Sequence, residues 1–408
     1  MTRQKPLRHD GRDYLTTAQV ARRLGVKEQT IYAYVSRGQL VSTRIQGMSG
    51  SLFAVDEIEA MAERDGARRG PGGAVERIRT QITLRENENL YFRGVSVAEL
   101  AGVPIERVAY FLWTGTMPNQ ADFRSDPDVL ARATRAAAAL PATARLVDRI
   151  RLVVDITGVC DPMRFDTGAA SIVHAAPALI ATVVDGCSPA DAPLEVALAQ
   201  RLWSAVSDRP GAEEDFAILN SALVVLADHD LAASTLAVRM AASTRANLYA
   251  AVTAGLGVMD GPYHGAATTR AYRFLEEAVP DPMGALALRL RDHERIPGFG
   301  HIVYDGRDPR AEVLLESMRN HNGPNVDRVV DAAQLVIDHM ADRYDMHPNS
   351  DFALAVATLG IGLRRDAPEA IFAIARIAGW IAHAIEEYQE KGLRFRVPGI
   401  YAGVRPHR

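Results

Sequence analysis

LARATRAAAALPATARLVDRIRLVVDITGV, residues 130–159, decides the fold class. Alanine, leucine and arginine dominate it, the residues that lose least on entering a helix, and no strand-like alternation competes with them. The same texture continues in DTGAASIVHAAPALIATVVDG at 166–186 and DFALAVATLG at 351–360. Beyond the first seventy-odd residues the chain therefore reads as all-α. ENLYFRG at 88–94 is the main exception, a short strand or turn pair, and there is no internal repeat or heptad run.

With 408 residues, 48% of them hydrophobic, there is material for two or three domains around a large core. Cys160 and Cys187 are too few for a disulfide scaffold or a cysteine-built metal site. The opening MTRQKPLRHDGRDY lacks the apolar centre of a signal peptide. Apolar stretches such as LNSALVVLADHD at 219–230 are broken by charge, so no membrane contact and a cytoplasmic location are expected. Residues 1–55 carry nine Lys and Arg against three Asp and Glu, which leaves −10 of the net −4 for the remainder. Only the front is suited to phosphate attraction.

That front contains TTAQVARRLGVKEQTIYAYVSRG at 16–38, a helix, a turn and a second helix. Thr16 is placed to cap the first, LGV turns, and Ile31, Tyr34 and Val35 share one face of the second before Gly38 stops it. QLVSTRIQGMSGSLFAV at 39–55 reads as a hairpin wing with Gly47 and Gly50 at its tip, and DEIEAMAERD at 56–65 as a further helix. Residues 1–13 read as polar and loose, and GARRGPGG at 66–73 as a linker. The segment resembles the helix-turn-helix of the mercury-resistance regulator and excisionase class. On that likeness Lys27, Gln29, Thr30, Tyr32, Ser36 and Arg37 face DNA, and Arg44 meets a phosphate from the wing. The plainer alternative is a module that orients subunits or binds a protein.

GPYHG at 261–265, PGFGH at 297–301 and HPNSD at 347–351 carry the chemistry. His264, His301 and Asp351 supply two imidazoles and a carboxylate, as proton removal beside a carbonyl requires. Glycine and proline around both histidines put them on loops or helix ends. Each has an ordinary reading too: Asp351 as the N-cap before FALAVATLG, the histidines as turn residues.

GPYHG, PGFGHIVYDGRDPRA, HPNSDF and AIARIAGWIAHAIEE occur in the order and spacing of citrate synthases. From about residue 76 to residue 403 the chain resembles their short bacterial type, which includes the 2-methylcitrate synthases. ENLYFRGVSVAEL at 88–100 and FLWTGTMP at 111–118 resemble further signatures. The resemblance implies an all-helical large domain, residues 76–266 and 375–408, and a smaller helical domain, 267–374. A winged helix-turn-helix at 1–65 and a linker at 66–75 precede them. Asp351 is implied as general base, His264 as partner of the enolate oxygen and His301 as polariser of the ketone. His229, Arg310, Arg376 and Arg396 are implied as the acceptor-binding set, with Arg396 lent between subunits of a homodimer or larger oligomer. Each arginine alone would equally be a structural ion pair or a solvated side chain.

The implied reaction is an acyl transfer of the tricarboxylic acid cycle: acetyl-CoA and oxaloacetate give citrate and CoA. With propionyl-CoA it would give 2-methylcitrate. Acyl-CoA is then a co-substrate, with no metal and no permanently bound cofactor. A reading of another class is a DNA-binding regulator whose body senses oxaloacetate, citrate or an acyl-CoA. His339, His347 and His383 read as ordinary helix or loop residues.

The chain departs from the family pattern in places. HDLAAST at 229–235 has Ala232 where HGFNAST has asparagine, and HGAAT has Thr268 where HGGAN has another. Ile302 and Asp305 stand where basic residues usually meet CoA phosphates, leaving Arg307 to compensate. PNSDFALA replaces PNVDFYSG, and RVPGIYAG replaces RPRxxYxG. Looser substrate placement and weaker CoA binding are expected.

Overall fold

The computed structural model describes residues 7–9, 12–24, 26–45, 50–58, 61, 78–189, 192–304 and 306–395. The expected linker at 66–75, the wing tip at Gly47, Asp305 and Arg396 lie outside them. Two compact units result: Met1–Arg77 with Arg394–Arg408, and Ile78–Leu393.

In the first unit Thr16 Oγ1 accepts from the Gln19 amide and Gln19 Oε1 accepts from the Thr16 amide. This reciprocal cap satisfies two orphan donors and starts the helix Thr17–Leu24. The helix Glu28–Ser36 follows, and Gly38 ends it with φ 66. Of residues 1–13, expected to be loose, 7–9 and 12–13 instead lie in the strands Leu7–His9 and Arg12–Thr16. They pair antiparallel, and the second also pairs with Leu52–Ala54 through Leu15↔Phe53. RDYLT does not alternate polar and apolar: Arg12 and Asp13 are exposed, while Tyr14 and Leu15 are both buried, in two different apolar clusters, as successive strand side chains on opposite faces can be. The wing closes as Thr43 pairs with Leu52. Leu15, Val20, Ile31, Leu40, Phe53 and Ile58 make the unit's core.

Among its described residues the second unit is mainly helical, with one three-stranded sheet, Thr83–Glu86, Asn89–Phe92 and Val95–Ser96, and an isolated bridge between Phe299 and Pro348. Asn87 and Glu88 turn the first hairpin with φ 51 and 62, the left-handed pair that matches strand twist. The helices Ala169–Cys187 and Ala367–Gln389 are long and apolar enough to cross a membrane. Two-thirds of the first's apolar window and all of the second's are covered by neighbouring helices, as core helices require. Ala367–Gln389 packs against Ile105–Thr114, Ala169–Cys187, Glu213–Leu226 and Ala233–Ser243. Gly379 permits its closest approach, because a Cβ there would lie 2.4 Å from the Ala227 carbonyl oxygen. The Gly379 amide donates to that oxygen at 3.1 Å.

Candidate active site

Three loops converge on one cavity of about 510 Å³. His229 and Asp230 come from the loop before the helix Ala233–Ser243. His264 precedes Ala266–Ala278, and Asp351 lies in the first turn of Ser350–Gly360. His301, Arg310, Arg376 and Arg85 also line it. Arg396 is outside the described residues.

PGFGH and HPNSD are stitched together. The Gly300 amide donates to the His347 carbonyl and the Asn349 amide to the Gly298 carbonyl, both at 2.9 Å. The Asn349 side-chain amide adds a 2.9 Å bond to the Gly300 carbonyl. Gly298 has φ 82, and a Cβ there would lie 2.6 Å from Phe352 Cβ, so glycine lets this loop seat on the helix. Asn349 also caps that helix, accepting from the Asp351 and Phe352 amides. The cap reading of Asp351 is thereby replaced: the role belongs to Asn349, and the Asp351 carboxylate has no hydrogen bond among the described residues. Burial pushes Asp351 up to about 6 against the pull of Arg310. A carboxylate so placed is a better base than an exposed one.

The histidines are neutral near pH 7. Burial, with Arg376 second, holds His264 down to about 4, and burial with Arg310 does the same for His301. Burial and the Arg310 and Arg376 cations hold His229 well below the usual range. His264 Nε2 meets Ser234 Oγ at 2.6 Å, which leaves Nδ1 for the cavity. The Val303 amide donates to His301 Nδ1 at 3.1 Å, so the ring's proton sits on Nε2. That Nε2 lies 3.3 Å from Arg310 Nη2, another donor. Two donors converge there, an arrangement that a ligand oxygen would satisfy.

The arginines are held in different ways. Asp308 caps Pro309–Arg319 and grips Arg310 twice, at 2.9 and 2.7 Å, while also accepting from the Ser350 amide. Arg376 is 1% exposed, donates Nε to the Leu226 carbonyl at 2.8 Å and lies over the Phe372 ring at 4.8 Å. Its buried Nη2 has no partner among the described residues. An unpaired buried guanidinium nitrogen is costly unless an anion arrives.

Of the departures, Ala232 lines the cavity, whereas Thr268 is buried with its hydroxyl on the Gly265 carbonyl. Ile302 is fully exposed at the rim, and Arg307 pairs with Glu312 at 3.3 Å. Several participants escaped the sequence reading. Tyr304 hydroxyl meets His229 Nε2 at 2.9 Å. His383, read as an ordinary helix residue, accepts from Arg239 Nε at 3.0 Å and faces Asp228 at 3.3 Å behind the cavity. Asp308 carried a signal, since an aspartate directly before proline marks a helix start; Tyr304 and His383 carried none.

On the first unit, Lys27, Gln29, Tyr32, Ser36, Arg37 and Arg44 are exposed and Thr30 is half-buried.

Residues 73–397 match the family described as "Citrate synthase, C-terminal domain" and residues 14–66 match "Helix-turn-helix domain". A citrate synthase of Acidithiobacillus ferridurans is 28% identical over 350 residues, 78% of this chain and 90% of that protein. 2-Methylcitrate synthase 1 of Corynebacterium glutamicum is 29% identical over 361 residues, 79% and 91% of the two chains. The crystal structure of citrate synthase from Thermotoga maritima MSB8 superposes with a TM-score of 0.67 at 25% identity, covering 84% of this chain and 97% of that one. The Thermoplasma acidophilum enzyme, solved with carboxymethyl coenzyme A and oxaloacetate, shares the fold at a TM-score of 0.68 and 23% identity, over 82% and 96% of the chains.

Proposed function

As the chain belongs to the citrate synthase family of acyltransferases, we propose that it condenses acetyl-CoA with oxaloacetate. The observation that carries this is one cavity lined by His264, His301, Asp351, Arg310 and Arg376, with Arg376 Nη2 buried and unpaired. Asp351 takes a proton from the carbon beside the thioester. Neutral His264 donates to the oxygen that becomes the enolate, so charge is stabilised as it forms. The enolate carbon attacks the ketone carbon, the ketone oxygen takes the proton from His301 Nε2 and becomes a hydroxyl, and the proton that Asp351 took returns to His301 through water, so both groups regain their starting state. Water then cleaves the thioester, releasing citrate and CoA. Arg310 and Arg376 hold carboxylate, joined by His229 and by Arg396 from a second subunit, and residues 267–374 act as the smaller domain that closes over the substrates.

Propionyl-CoA as donor, giving 2-methylcitrate, differs by one methylene, worth about 1–3 kcal/mol of discrimination. The test is CoA release by purified protein with acetyl-CoA or propionyl-CoA against oxaloacetate. Absence of release above background with both donors over a broad pH range defeats the reading. Subunit sharing is tested by mixing Asp351→Asn with Arg396→Ala protein: activity should return on subunit exchange, and its absence after confirmed exchange defeats the shared site.

The first unit favours a second reading, DNA binding in a dimer, with or without metabolite control. Its support is the exposed row Lys27, Gln29, Tyr32, Ser36 and Arg37 on and beside the helix Glu28–Ser36. Selection from random duplexes by the full chain, with and without oxaloacetate, tests it. No enriched sequence at low salt would leave a structural or protein-contact role. An enriched site unchanged by oxaloacetate would remove metabolite sensing.

A further inference from the structure

Arg85 stands outside the acceptor-binding set described so far, yet it lines the same cavity. It comes from the strand Thr83–Glu86, and two side chains of that strand tie it to the loop bearing His229. Thr83 Oγ1 donates to Asp228 Oδ2 at 2.5 Å. Arg85 Nη2 and Nε donate to Asp230 Oδ2 at 2.9 and 3.3 Å. Asp230 stands at the glycine of the HGFNAST pattern and keeps a left-handed backbone, φ 57. For an aspartate that conformation is uncommon, and here it presents the carboxylate to Arg85.

We infer that Arg85 is a specificity-determining residue for the acceptor, a third cation of the same chain that holds the carboxylate farther from the ketone. It thereby selects a dicarboxylic 2-oxo acid over a monocarboxylic one. The inference rests on the condensation reading above. Nη1 of Arg85 has no partner among the described residues, so the guanidinium is fixed by Asp230 while one edge is left for a ligand. Ala232 and Ala233 line the same wall and put no polar side chain in competition with it. Arg310 is already doubly engaged by Asp308, and Arg376, with Nε on the Leu226 carbonyl, keeps Nη2 for one end of the acceptor. A diacid needs a grip at each end, and Arg85 adds one within a single protomer. After burial and the nearer cations, Arg85 also helps hold His229 and His301 neutral, as expected of a charge facing the same space.

The test compares wild type, Arg85→Gln and Arg85→Lys with oxaloacetate and with pyruvate at one acyl-CoA. Losing a charged hydrogen bond should raise the oxaloacetate KM of Arg85→Gln about tenfold or more. Its kcat should stay within about threefold, with the acyl-CoA KM and the unliganded melting temperature unchanged. Preference for oxaloacetate over pyruvate should fall by the same factor, and Arg85→Lys should recover part of it. An unchanged oxaloacetate KM overturns the inference. So does a loss shared by donor and acceptor with a lowered melting temperature, which marks Arg85 as a tie alone. If wild type turns over no substrate pair, the reaction reading fails and calorimetric oxaloacetate binding decides for Arg85. Equal Kd in wild type and Arg85→Gln, or no binding by wild type, then overturns it.

Discussion

The front unit and the helical body place their polar groups oppositely. In the front unit Lys27, Gln29, Tyr32, Ser36, Arg37 and Arg44 lie outside, over an apolar interior of Val20, Ile31, Phe53 and Ile58. In the body Asp228, Arg239, Arg376, His383 and Glu387 are buried. Arg239 spans Glu387 at 3.1 Å and His383, which faces Asp228. A large partner can come to an exposed row, whereas small-molecule chemistry gains strength from excluding water. Buried charges destabilise unless paired, so changes in the body should alter stability and activity together. Changes in the exposed row should alter binding alone.

The sharpest way to break that contrast is Asp351→Asn. Removing the proposed base should lower kcat by about 10²–10⁴-fold. The same change should stabilise the protein. Asp351, pushed up to about 6, favours folding fully below the ordinary value near 3.8, and that contribution is lost as pH rises through about 6. Relieving its buried charge should add on the order of 2 kcal/mol at pH 7, read by thermal unfolding. A variant both inactive and less stable would show that Asp351 is structural.

The histidines give the opposite sign. His264 and His301 titrate near 4 in the fold and near 6.5 when unfolded, so the unfolded chain takes up their protons first as pH falls. Their contribution is complete above 6.5 and lost down to 4, at about 1–3 kcal/mol each. Unfolding followed across that window should show the loss, and His301→Asn should flatten it. kcat should rise with pH through about 6 as Asp351 ionises.

Gly379→Ala tests the packing beneath Arg376. A Cβ would press on the Ala227 carbonyl and on Asp228 Oδ1, 2.5 Å away, and should cost about 1–3 kcal/mol. Oxaloacetate KM should rise with it, because Arg376 is anchored one residue earlier, on the Leu226 carbonyl. Wild-type stability would remove the link between this contact and the site. The smallest effect on stability belongs to the front unit. Arg37→Ala should weaken sequence preference on DNA more than Arg44→Ala, with stability within about 0.5 kcal/mol and CoA release unchanged.

How much of this was legible follows from range. Helix-rich texture, the Thr16 cap and the glycine-flanked histidines are local signals, and each is found where the residues suggested. Leu7–His9 is too short to announce itself, since its place in a sheet depends on the pairing of Leu7 with Tyr14. Asp351 was open to two readings because a first-turn carboxylate and a cap differ by two positions, and Asn349 occupies the cap. Arg85, Tyr304 and His383 have no local pattern. Their significance comes from partners 145, 75 and 144 residues away.

The seam between PGFGH and HPNSD ties His301 to Asp351 through Gly298, Gly300, His347 and Asn349. Fraying of either loop breaks bonds in the other, so the proposed proton acceptor and the proposed ketone polariser would be lost in one event. Heat inactivation should therefore follow a single exponential, with proton exchange into the donor disappearing at the same rate as condensation. On the proposed reaction, damage at this seam should leave no enzyme that enolises its donor without condensing it.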